Sequence, residues 1–530
     1  MRTKNEVTTT VVLDYLTHLP GHSTPTSIES ELLDALHDAF ETENAIREKG
    51  NKWKYYHTLP NIAIAEILKP VHGIKRMSAD RKLTSSSLLC YYDEDTGIYE
   101  SDMSKIANLI RLYNSQIRKN DIAEVVSILY DTAEVIYECQ NPAYTPVCNG
   151  VFDHNSKTLL PFSPDMPFLW KINTRYIPQA SAPIIHNADG SLWHPDSLVD
   201  SLSDDPEIVD LLWRILAASL RPFVHYNKMC LFIAESGNNG KGTLCELVRQ
   251  LLGEENCTSI PIADMNKDFI IEDIIGKCAV ITDENDVMNA KILSVGNLKA
   301  FITHDVVKIN RKHQKAVSYR FNGMIIECTN SMIKVSDNSS SWLRRLIPVP
   351  FDKCFTGSEN KAIKADYIKR EDVKEYYLSK LLDMDVDELP MPPRVQKELQ
   401  NYAYENDIVI EFAAEMLPYF QWDVVSFQFL WALFTSWAGR NYPSERLPGR
   451  TTFINDFLRA LKPYDKFWYC PGKDKKIKVG SAMDVPEPLI WEYDLSEFKN
   501  PVYHGSDINR ICTPMIPTYV RGIARRSSNP

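Results

Sequence analysis

The 530-residue sequence lacks several features that extracellular and membrane proteins use. Its eleven cysteines include no C-x-x-C pair, and an odd, scattered set argues against a disulfide framework or a zinc ribbon. No apolar run approaches the length of a membrane span, and the first residues lack the apolar core of a signal peptide. We therefore expect a cytoplasmic protein with no membrane partner.

An excess of positive charge is also missing. The formal net charge is −11, which excludes a protein coated in basic surface. Any contact with nucleic acid must then be local, as in a channel lined by several subunits. The chain shows no internal repeat and no extended low-complexity tract, and its length suggests roughly three or four domains.

A glycine-bearing loop between two periodic segments is the strongest local signal. The apolar run 229–234 predicts a buried strand, and the pattern 243–252 predicts a helix that stops near Gly253. A loop in this context holds phosphate with backbone N–H groups and a lysine side chain. The predicted nucleotide-binding loop consists of Gly237, Asn238, Asn239, Gly240, Lys241, Gly242 and Thr243.

This loop departs from the strict G-x-x-x-x-G-K-[ST] pattern at both ends. Glu235 occupies the first glycine position, and Gly242 stands where the magnesium-binding hydroxyl belongs. Thr243 carries the nearest hydroxyl and is our candidate magnesium ligand. Taken alone, the loop also fits a Gly/Asn turn between two core elements.

An acidic pair follows a second apolar run, 278–282. At the carboxyl end of a buried strand, one carboxylate can hold magnesium while the other polarises the attacking water. We assign Asp283 the first role and Glu284 the second. The alternative is an acidic turn that caps a core strand.

Three polar side chains complete the predicted site. Asn330 follows the apolar run 323–329 and would orient the attacking water or sense the γ-phosphate. Arg344 and Arg345 precede another apolar segment. Arginine forks onto phosphate oxygens, which suits a finger inserted into a neighbouring subunit's site. A pair of surface ion pairs is the alternative for the arginines. The predicted catalytic residues are Lys241, Glu284, Asn330, Arg345 and Arg344.

The ordered set of motifs resembles the superfamily 3 helicases, which are AAA+ ring helicases of papillomaviruses, polyomaviruses, poxviruses and many phages. The run 297–313 carries part of this resemblance. Segments 89–99 and 148–164 are similar to the phage and plasmid primase-helicase branch with a poxvirus D5-type N-terminal region. The resemblance implies ATP and Mg²⁺ as cofactors, a homo-hexameric ring and DNA in its channel.

The same resemblance assigns further residues. It implies a β-hairpin whose tip grips DNA through Arg311, Lys312 and His313. It also implies that Lys299 reaches the nucleotide of the adjacent subunit. His304 stands where the family usually has glycine before the aspartate, which is a departure at the hairpin base.

The predicted fold is a multidomain α/β protein with an AAA+ P-loop core, a parallel sheet between helices. A mixed α+β region precedes the core and a winged-helix-like domain follows it. Expected helices include 28–49 with Ser27 as its cap, 395–404, 426–438 and 451–461 with a threonine cap. The expected domains are an N-terminal interaction module (1–85), a D5-type or collar region (86–220), the core (221–355), a linker (356–394) and the winged-helix-like domain (395–530).

We therefore expect an ATP-dependent DNA helicase that serves the replication of a phage, plasmid or other mobile element. The basic turn 473–479 predicts a duplex contact in the C-terminal domain, and a solvated lysine turn is its alternative. A primase or replication initiator is a candidate partner, since residues 1–85 lack the spaced acids of a two-metal priming site. Two other functions remain open: an origin-binding initiator switched by ATP, and an AAA+ protein that remodels another protein.

Overall fold

The computed structural model describes most of the chain. The described residues are 2–19, 23–78, 87–187, 189–234, 237–283, 294–312, 316–330, 332–333, 335, 340–405, 407–443, 447–515 and 517–526. The chain divides into two compact units. Unit 1 comprises Met1–Val287, Val295–Ser331 and Arg345–Pro392, and unit 2 comprises Met288–Ser294, Met332–Arg344 and Pro393–Pro530.

Unit 1 begins with helices that share one apolar core with the sheet after them. Helix α2 buries Ile28, Leu32, Leu36 and Phe40 at a spacing of four residues, which places them on one face. The elements are α1 (Lys4–Thr17), α2 (Pro25–Ala45), α3 (Asn61–Val71), β1 (Lys75–Ser78), β2 (Leu88–Asp93), β3 (Ile98–Glu100), α4 (Met103–Arg111), α5 (Lys119–Thr132) and β4 (Val135–Tyr137). The strands lie in the order β3-β2-β1-β4.

The start of α2 differs from its sequence prediction. The helix begins at Pro25, and its N-cap is Thr24, whose side chain accepts a hydrogen bond from the backbone N–H of Ser27. Ser27 as the cap was therefore wrong. Proline fits the first turn because its missing N–H would have no helical partner there.

Short antiparallel strands and two helices lead to the central sheet. The elements are β5 (Tyr144–Val147), β6 (Gly150–Asp153), β7 (Thr158–Leu160), β8 (Ile185–His186), β9 (Leu192–Trp193), α6 (Pro195–Asp200) and α7 (Pro206–Ser219). Helix α7 starts after Asp205, whose side chain caps it by accepting from the Glu207 N–H. Its buried face includes Leu211, Leu212 and Leu216.

A five-stranded parallel sheet forms the centre of unit 1. Its elements are β10 (Met229–Ile233), α8 (Lys241–Leu252), β11 (Cys257–Thr258), β12 (Ala279–Thr282), α9 (Gly296–Ile302), β13 (Val306–Ile309), β14 (Val317–Arg320), β15 (Met324–Thr329) and β16 (Leu346–Pro350). The strand order is β11-β12-β15-β10-β16, and every neighbouring pair is parallel. Strands buried on both faces explain the near-continuous apolar runs seen in the sequence. Strands β13 and β14 pair separately as an antiparallel hairpin.

The segment predicted as a linker is helical. It contains α11 (Lys361–Ala365) and α12 (Glu371–Asp383), and α12 buries Val373, Tyr377, Leu378 and Leu381. These buried side chains make α12 part of the packed interior of unit 1.

Unit 2 has its own core, built largely from aromatic side chains. Its elements are α10 (Ser340–Leu343), α13 (Pro393–Glu405), α14 (Ile408–Met416), β17 (Val424–Ser426), α15 (Phe427–Asn441), α16 (Arg450–Ala460), β18 (Trp468–Tyr469), β19 (Ile477–Lys478), α17 (Leu489–Glu492), α18 (Ile508–Ile511), β20 (Tyr519–Val520) and β21 (Gly522–Arg525). Strands β17, β21 and β18 form one antiparallel sheet, and β19 pairs with β20.

Two helices predicted for unit 2 can be compared with the structure. The helix predicted over 451–461 begins at Arg450 after Gly449, with no side-chain cap, so the threonine cap was wrong. The helix predicted over 426–438 is confirmed as α15, with Ser426 as its cap.

The five-domain division stays a prediction. Within the described residues, no helix has the length and apolar character needed to cross a membrane.

Candidate functional site

The carboxyl edge of the central sheet collects three of the predicted site segments. The glycine-bearing loop follows β10, Asp283 follows β12, and Asn330 follows β15. Strands β12, β15 and β10 are consecutive neighbours in the sheet, so these segments lie side by side. Strand β10 lies between β15 and β16, which are the last two strands of this sheet in chain order. Parallel sheets open a crevice for ligands where the strand order changes in this way.

Lys241 is the first residue of α8, and its ammonium lies at the end of β15. Its Nζ donates to the backbone oxygen of Thr329 at 3.1 Å and lies 3.5 Å from Oδ1 of Asn330. Only 7% of the Lys241 residue is exposed. The structure thus brings together the two predicted residues that would contact the terminal phosphate.

The loop backbone adopts a conformation that favours glycine at one position. Gly240 has φ 86°, in the left-handed region, and Asn238 has φ 53°. A Cβ on Gly240 would lie 2.4 Å from Cδ2 of Leu202, so both conformation and space exclude a side chain there. Residues after β16 also hold the loop. The backbone oxygen of Asn238 accepts a hydrogen bond from the Phe355 N–H at 2.8 Å, and the side-chain amide of Asn238 donates to the Thr356 hydroxyl at 3.2 Å.

A cavity of about 690 Å³ opens beside the loop. Asn238, Gly240 and Thr243 line one side of it, and residues from 193–202 and 355–369 line the rest. Its lining is mainly apolar but includes Lys361, Lys364 and Lys369. A Cβ built on Gly242 would lie 3.4 Å from Nζ of Lys364, which places this ammonium beside the loop. The cavity has the volume and the mixed lining of a nucleotide-sized site.

Asp283 is held by an arginine of the loop's own helix. Arg249 donates through both terminal nitrogens to the two carboxylate oxygens of Asp283, each at 2.9 Å, and also to the Ile281 oxygen at 3.0 Å. The Asp283 side chain is 39% exposed. A carboxylate offers about four acceptor positions, so the pair leaves Asp283 able to accept from the water shell of a cation.

Two buried thiols lie next to this carboxylate. The sulfur atoms of Cys245 on α8 and Cys328 on β15 are 3.3 Å apart. The hydrogen bond to Cys328 and burial raise the pKa of Cys245, which keeps this thiol protonated. With Asp283 they form a group whose ligand atoms lie within 4.8 Å of one another. The protonated, enclosed state of Cys245 is that of an inert packing residue.

The opposite, amino edge of the sheet carries the candidate finger. Arg345 immediately precedes β16, and its backbone oxygen accepts from the N–H of Met229 at the start of β10, at 2.8 Å. Burial lowers the pKa of Lys299, and the nearby positive charge of Arg345 adds to this effect, so the two cations are neighbours. Strand β10 has five residues and spans about 16 Å, which separates Arg345 from the loop of its own subunit.

The predicted hairpin is present as β13 and β14, with Arg311 and Lys312 in its connection. Two acidic residues hold this end: Asp268 accepts from the Asn310 amide at 3.2 Å, and Glu272 accepts from the Lys312 N–H at 3.1 Å. The side chain of Lys312 is left exposed.

His304 at the hairpin base has φ 54°, which explains why glycine suits this position. The imidazole is 4% exposed, its Nδ1 lies 2.9 Å from the Phe321 oxygen, and the ring stacks on His225 at 4.3 Å. Burial lowers the pKa of His304 to about 4.

The remaining predicted residues are Glu284, His313 and Arg344. Glu284 and His313 lie outside the described residues. Arg344 is exposed and belongs to unit 2, whereas Arg345 belongs to unit 1. Arg345 is thus the arginine that shares a unit with Lys299 and the central sheet.

A family model matches part of the chain. A family model described as "Family of unknown function (DUF5906)" matches residues 232–345. The matched range contains the loop, the acidic pair, the hairpin, Asn330 and both arginines. It covers a minor part of the 530-residue chain, so the chain as a whole is not assigned to that family.

Similar solved structures include three of the apo C-terminal region of NrS-1. One A-form structure has 15% identity and a TM-score of 0.42, and covers 80% of this chain and 98% of that one. Another A-form structure, of residues 305–718, has 15% identity and a TM-score of 0.41, with 85% and 93% covered. A third has 16% identity and a TM-score of 0.40, with 79% and 96% covered. Similarity at this level supports no inference about function.

Several site residues were not predicted from the sequence. Arg249 on α8 binds Asp283, whereas Leu202 after α6 and Lys364 on α11 lie beside the loop, and none of the three belongs to a motif. Leu202 and Lys364 also lie outside the predicted core of 221–355. Their positions follow from packing between distant segments, which no local pattern encodes.

Proposed function

We propose that this protein is an ATP-dependent DNA helicase that acts as a homo-hexameric ring in the replication of a phage, plasmid or other mobile element. The observation that carries the proposal is the contact of Lys241 with the end of β15, beside Asn330. A loop lysine and a polar residue on the neighbouring strand converge at one point of the carboxyl edge. Such convergence is what the terminal phosphate of a nucleotide requires.

The loop fits a triphosphate, and the cavity fits the rest of the nucleotide. Loop N–H groups and Lys241 would hold the phosphates, with Lys364 adding a second positive charge. The base and ribose would occupy the cavity of about 690 Å³ lined by Leu202 and Phe355. An AAA+ P-loop core is the fold that this combination favours, and the five-stranded parallel sheet supports it.

Thr243 and Asp283 are the residues that would hold the magnesium ion. Asp283 would hold the ion through its water shell while keeping its bonds to Arg249. Magnesium supplies charge neutralisation to the phosphates when bound. Glu284, the next residue along the chain, would orient and polarise the attacking water, and Asn330 would detect the γ-phosphate.

Arg345 would act on the nucleotide of a neighbouring subunit. Its position at the amino edge, about 16 Å along β10 from the loop, favours action in trans over action on the loop of its own subunit. Lys299, whose pKa is lowered by burial and by the positive charge of Arg345, would reach the same nucleotide. Lys312 and its neighbours at the hairpin end would carry DNA as subunits move.

Strand displacement tests the proposal directly. We expect the wild type to release a labelled strand from a forked DNA duplex only with ATP and magnesium. Lys241→Met should lose ATP hydrolysis and unwinding, and Glu284→Gln should retain ATP binding while losing both. Lys267→Met serves as a matched control, because this exposed lysine pairs with Asp264 away from the site.

The outcome separates the proposal from its alternatives. Hydrolysis without strand displacement would favour an ATP-switched initiator that binds an origin. Hydrolysis that no nucleic acid stimulates would favour a protein remodeller. Equal hydrolysis by the wild type and Lys241→Met would contradict the assignment of the loop itself.

A further inference from the structure

A second large cavity lies within unit 2, in a region to which the helicase proposal assigns no residue. Its volume is about 1070 Å³, at the upper end of the range for small-ligand pockets. Its walls come from the first turns of α15 and α16, from the turn at 473–474, and from segments 496–501 and 514–521. We refer to it as the C-terminal cleft.

Positive charge predominates in the C-terminal cleft. Four cationic side chains line it, against the two carboxylates of Asp474 and Glu497; the cations are Arg450, Lys473, Lys499 and Arg521. Lys499 pairs with Asp494 at 2.6 Å, and Lys473 donates to Asn455.

Two of these cations have no partner through their side chains. Within the part of the chain that the structure describes, neither the Arg450 nor the Arg521 guanidinium forms an ion pair or a hydrogen bond. Both residues are exposed. Two exposed guanidinium groups in one concave site are suited to phosphate oxygens.

Exposed apolar surface lies beside these charges. Tyr519 on β20 is 55% exposed and Met515 is 68% exposed, although both line the cleft. An exposed aromatic ring in a basic groove offers a face on which a base can stack. A site for inorganic phosphate alone would not need this apolar surface.

The shape of the cleft decides between single-stranded and duplex nucleic acid. Helix α16 follows α15 as the second helix of a pair, the position from which a helix enters the major groove of DNA. Its first turns, at Arg450, Thr451 and Asn455, instead line the cleft and are faced by Lys473 and by segment 514–521. A helix enters a major groove about 12 Å wide along its exposed face, whereas here Lys473 donates to Asn455 and occupies part of that face of α16.

We infer that the C-terminal cleft binds single-stranded nucleic acid, with Arg450 and Arg521 on the phosphates and Tyr519 under a base. The inference is a different proposal from the duplex contact that the basic turn 473–479 predicts for this domain. It does not depend on ATP hydrolysis, so it stands or falls separately from the helicase proposal. In a helicase, such a cleft would hold a separated strand.

Anisotropy of a fluorescein-labelled oligothymidylate tests the inference. The measurement uses the full chain with Lys312→Ala, which removes a proposed channel contact, and no ATP. Arg450→Ala with Arg521→Ala should weaken binding at least about tenfold and lower the slope of log Kd against log salt by about 1.4. Tyr519→Ala should weaken binding at least about fivefold, whereas Tyr519→Phe should retain it because the ring face is kept.

Matched controls make the result decisive. Arg459→Ala changes a cation on the same helix that is paired with Asp456 at 2.5 Å and does not line the cleft, so binding should be unchanged. A duplex of equal charge should bind more weakly than oligothymidylate, and poly-glutamate should compete poorly. The inference is overturned if duplex binds as tightly, if poly-glutamate competes equally, or if Tyr519→Ala matches the wild type. If the wild type bound oligothymidylate but did not hydrolyse ATP, the result would count against the helicase proposal alone.

Discussion

The loop site of unit 1 and the C-terminal cleft of unit 2 are built in different ways. In unit 1, neighbouring parallel strands deliver the loop, Asp283 and Asn330 to one edge, and the strands between them are buried. In unit 2, several separate segments between 426 and 521 line the cleft, and the strands of this region are only two to four residues long. A buried sheet fixes side chains through its backbone, whereas a cleft between loops depends on side-chain packing.

This difference has a functional counterpart. A phosphate-transfer site needs groups positioned within fractions of an ångström, and the sheet edge provides that. A groove that accepts any base needs charge and ring faces but little directional fit. We therefore expect substitutions in unit 1 to have large, position-dependent effects, and those in the cleft to have moderate effects that vary with salt.

The largest effect should come from Arg345→Ala. Because the finger would stabilise the transition state in a neighbouring site, hydrolysis should fall about a thousandfold while ATP binding is retained. Oligothymidylate binding by unit 2 should not change. The readouts are steady-state ATPase rates and the affinity for a fluorescent ATP analogue, with Arg344→Ala as the neighbouring comparison.

Mixed rings test whether Arg345 acts in trans. Subunits with Arg345→Ala keep an intact loop, and subunits with Lys241→Ala keep an intact finger. Mixing the two should restore part of the hydrolysis, since some interfaces then pair a good loop with a good finger. No recovery in a ring verified to contain both variants would argue that Arg345 has only a structural role at the start of β16.

The sequence predicted the loop site better than the cleft for the same structural reason. Lys241 lies in the loop that follows one predicted strand, and Asn330 directly follows another. Because the ends of parallel strands share an edge of the sheet, the two residues are expected to meet there. The walls supplied by Leu202 and Lys364 come from outside the matched motifs, and only packing brings them to the loop. In unit 2 the helices α13, α15 and α16 were predicted from periodicity, whereas α14 was not. The pairing of β19 with β20 was not predicted either, because strands of two residues carry no pattern.

An intermediate effect is expected from a single methyl group at the loop. Gly240→Ala forces an L side chain into φ 86° and toward Leu202, which should cost about 1–3 kcal/mol and weaken binding of the ATP analogue. Gly237→Ala is the control, because its Cβ would meet nothing within 4 Å, and the melting temperature without nucleotide should barely change. Adding Leu202→Ala to Gly240→Ala should recover part of the loss. If Gly240→Ala weakened oligothymidylate binding as much as ATP binding, the two sites would not be independent.

The smallest predicted effect is a loss of folding stability as pH falls, to which the buried histidines of unit 1 contribute. Burial lowers the pKa of His304 to about 4 and that of His154 to about 3, whereas His504, the histidine in the described part of unit 2, is exposed. Between the unfolded value near 6.5 and the folded values, the unfolded chain binds more protons, so each buried histidine makes unit 1 less stable as pH falls. Glu138 opposes this trend, since burial raises its pKa to about 7 and the folded chain gains its proton first.

Replacing one histidine isolates its share of this balance. Asparagine tolerates the backbone of His304, so His304→Asn should remove one titration without new strain at φ 54°. Between about pH 7.5 and 5.5, its free energy of unfolding should fall by about 1 kcal/mol less than that of the wild type. Urea unfolding followed at both pH values measures the difference, with His504→Asn expected to follow the wild type. If His304→Asn lost as much stability in acid as the wild type, the imidazole would gain its proton over the same pH range in the folded and the unfolded chain, and burial would not lower its pKa.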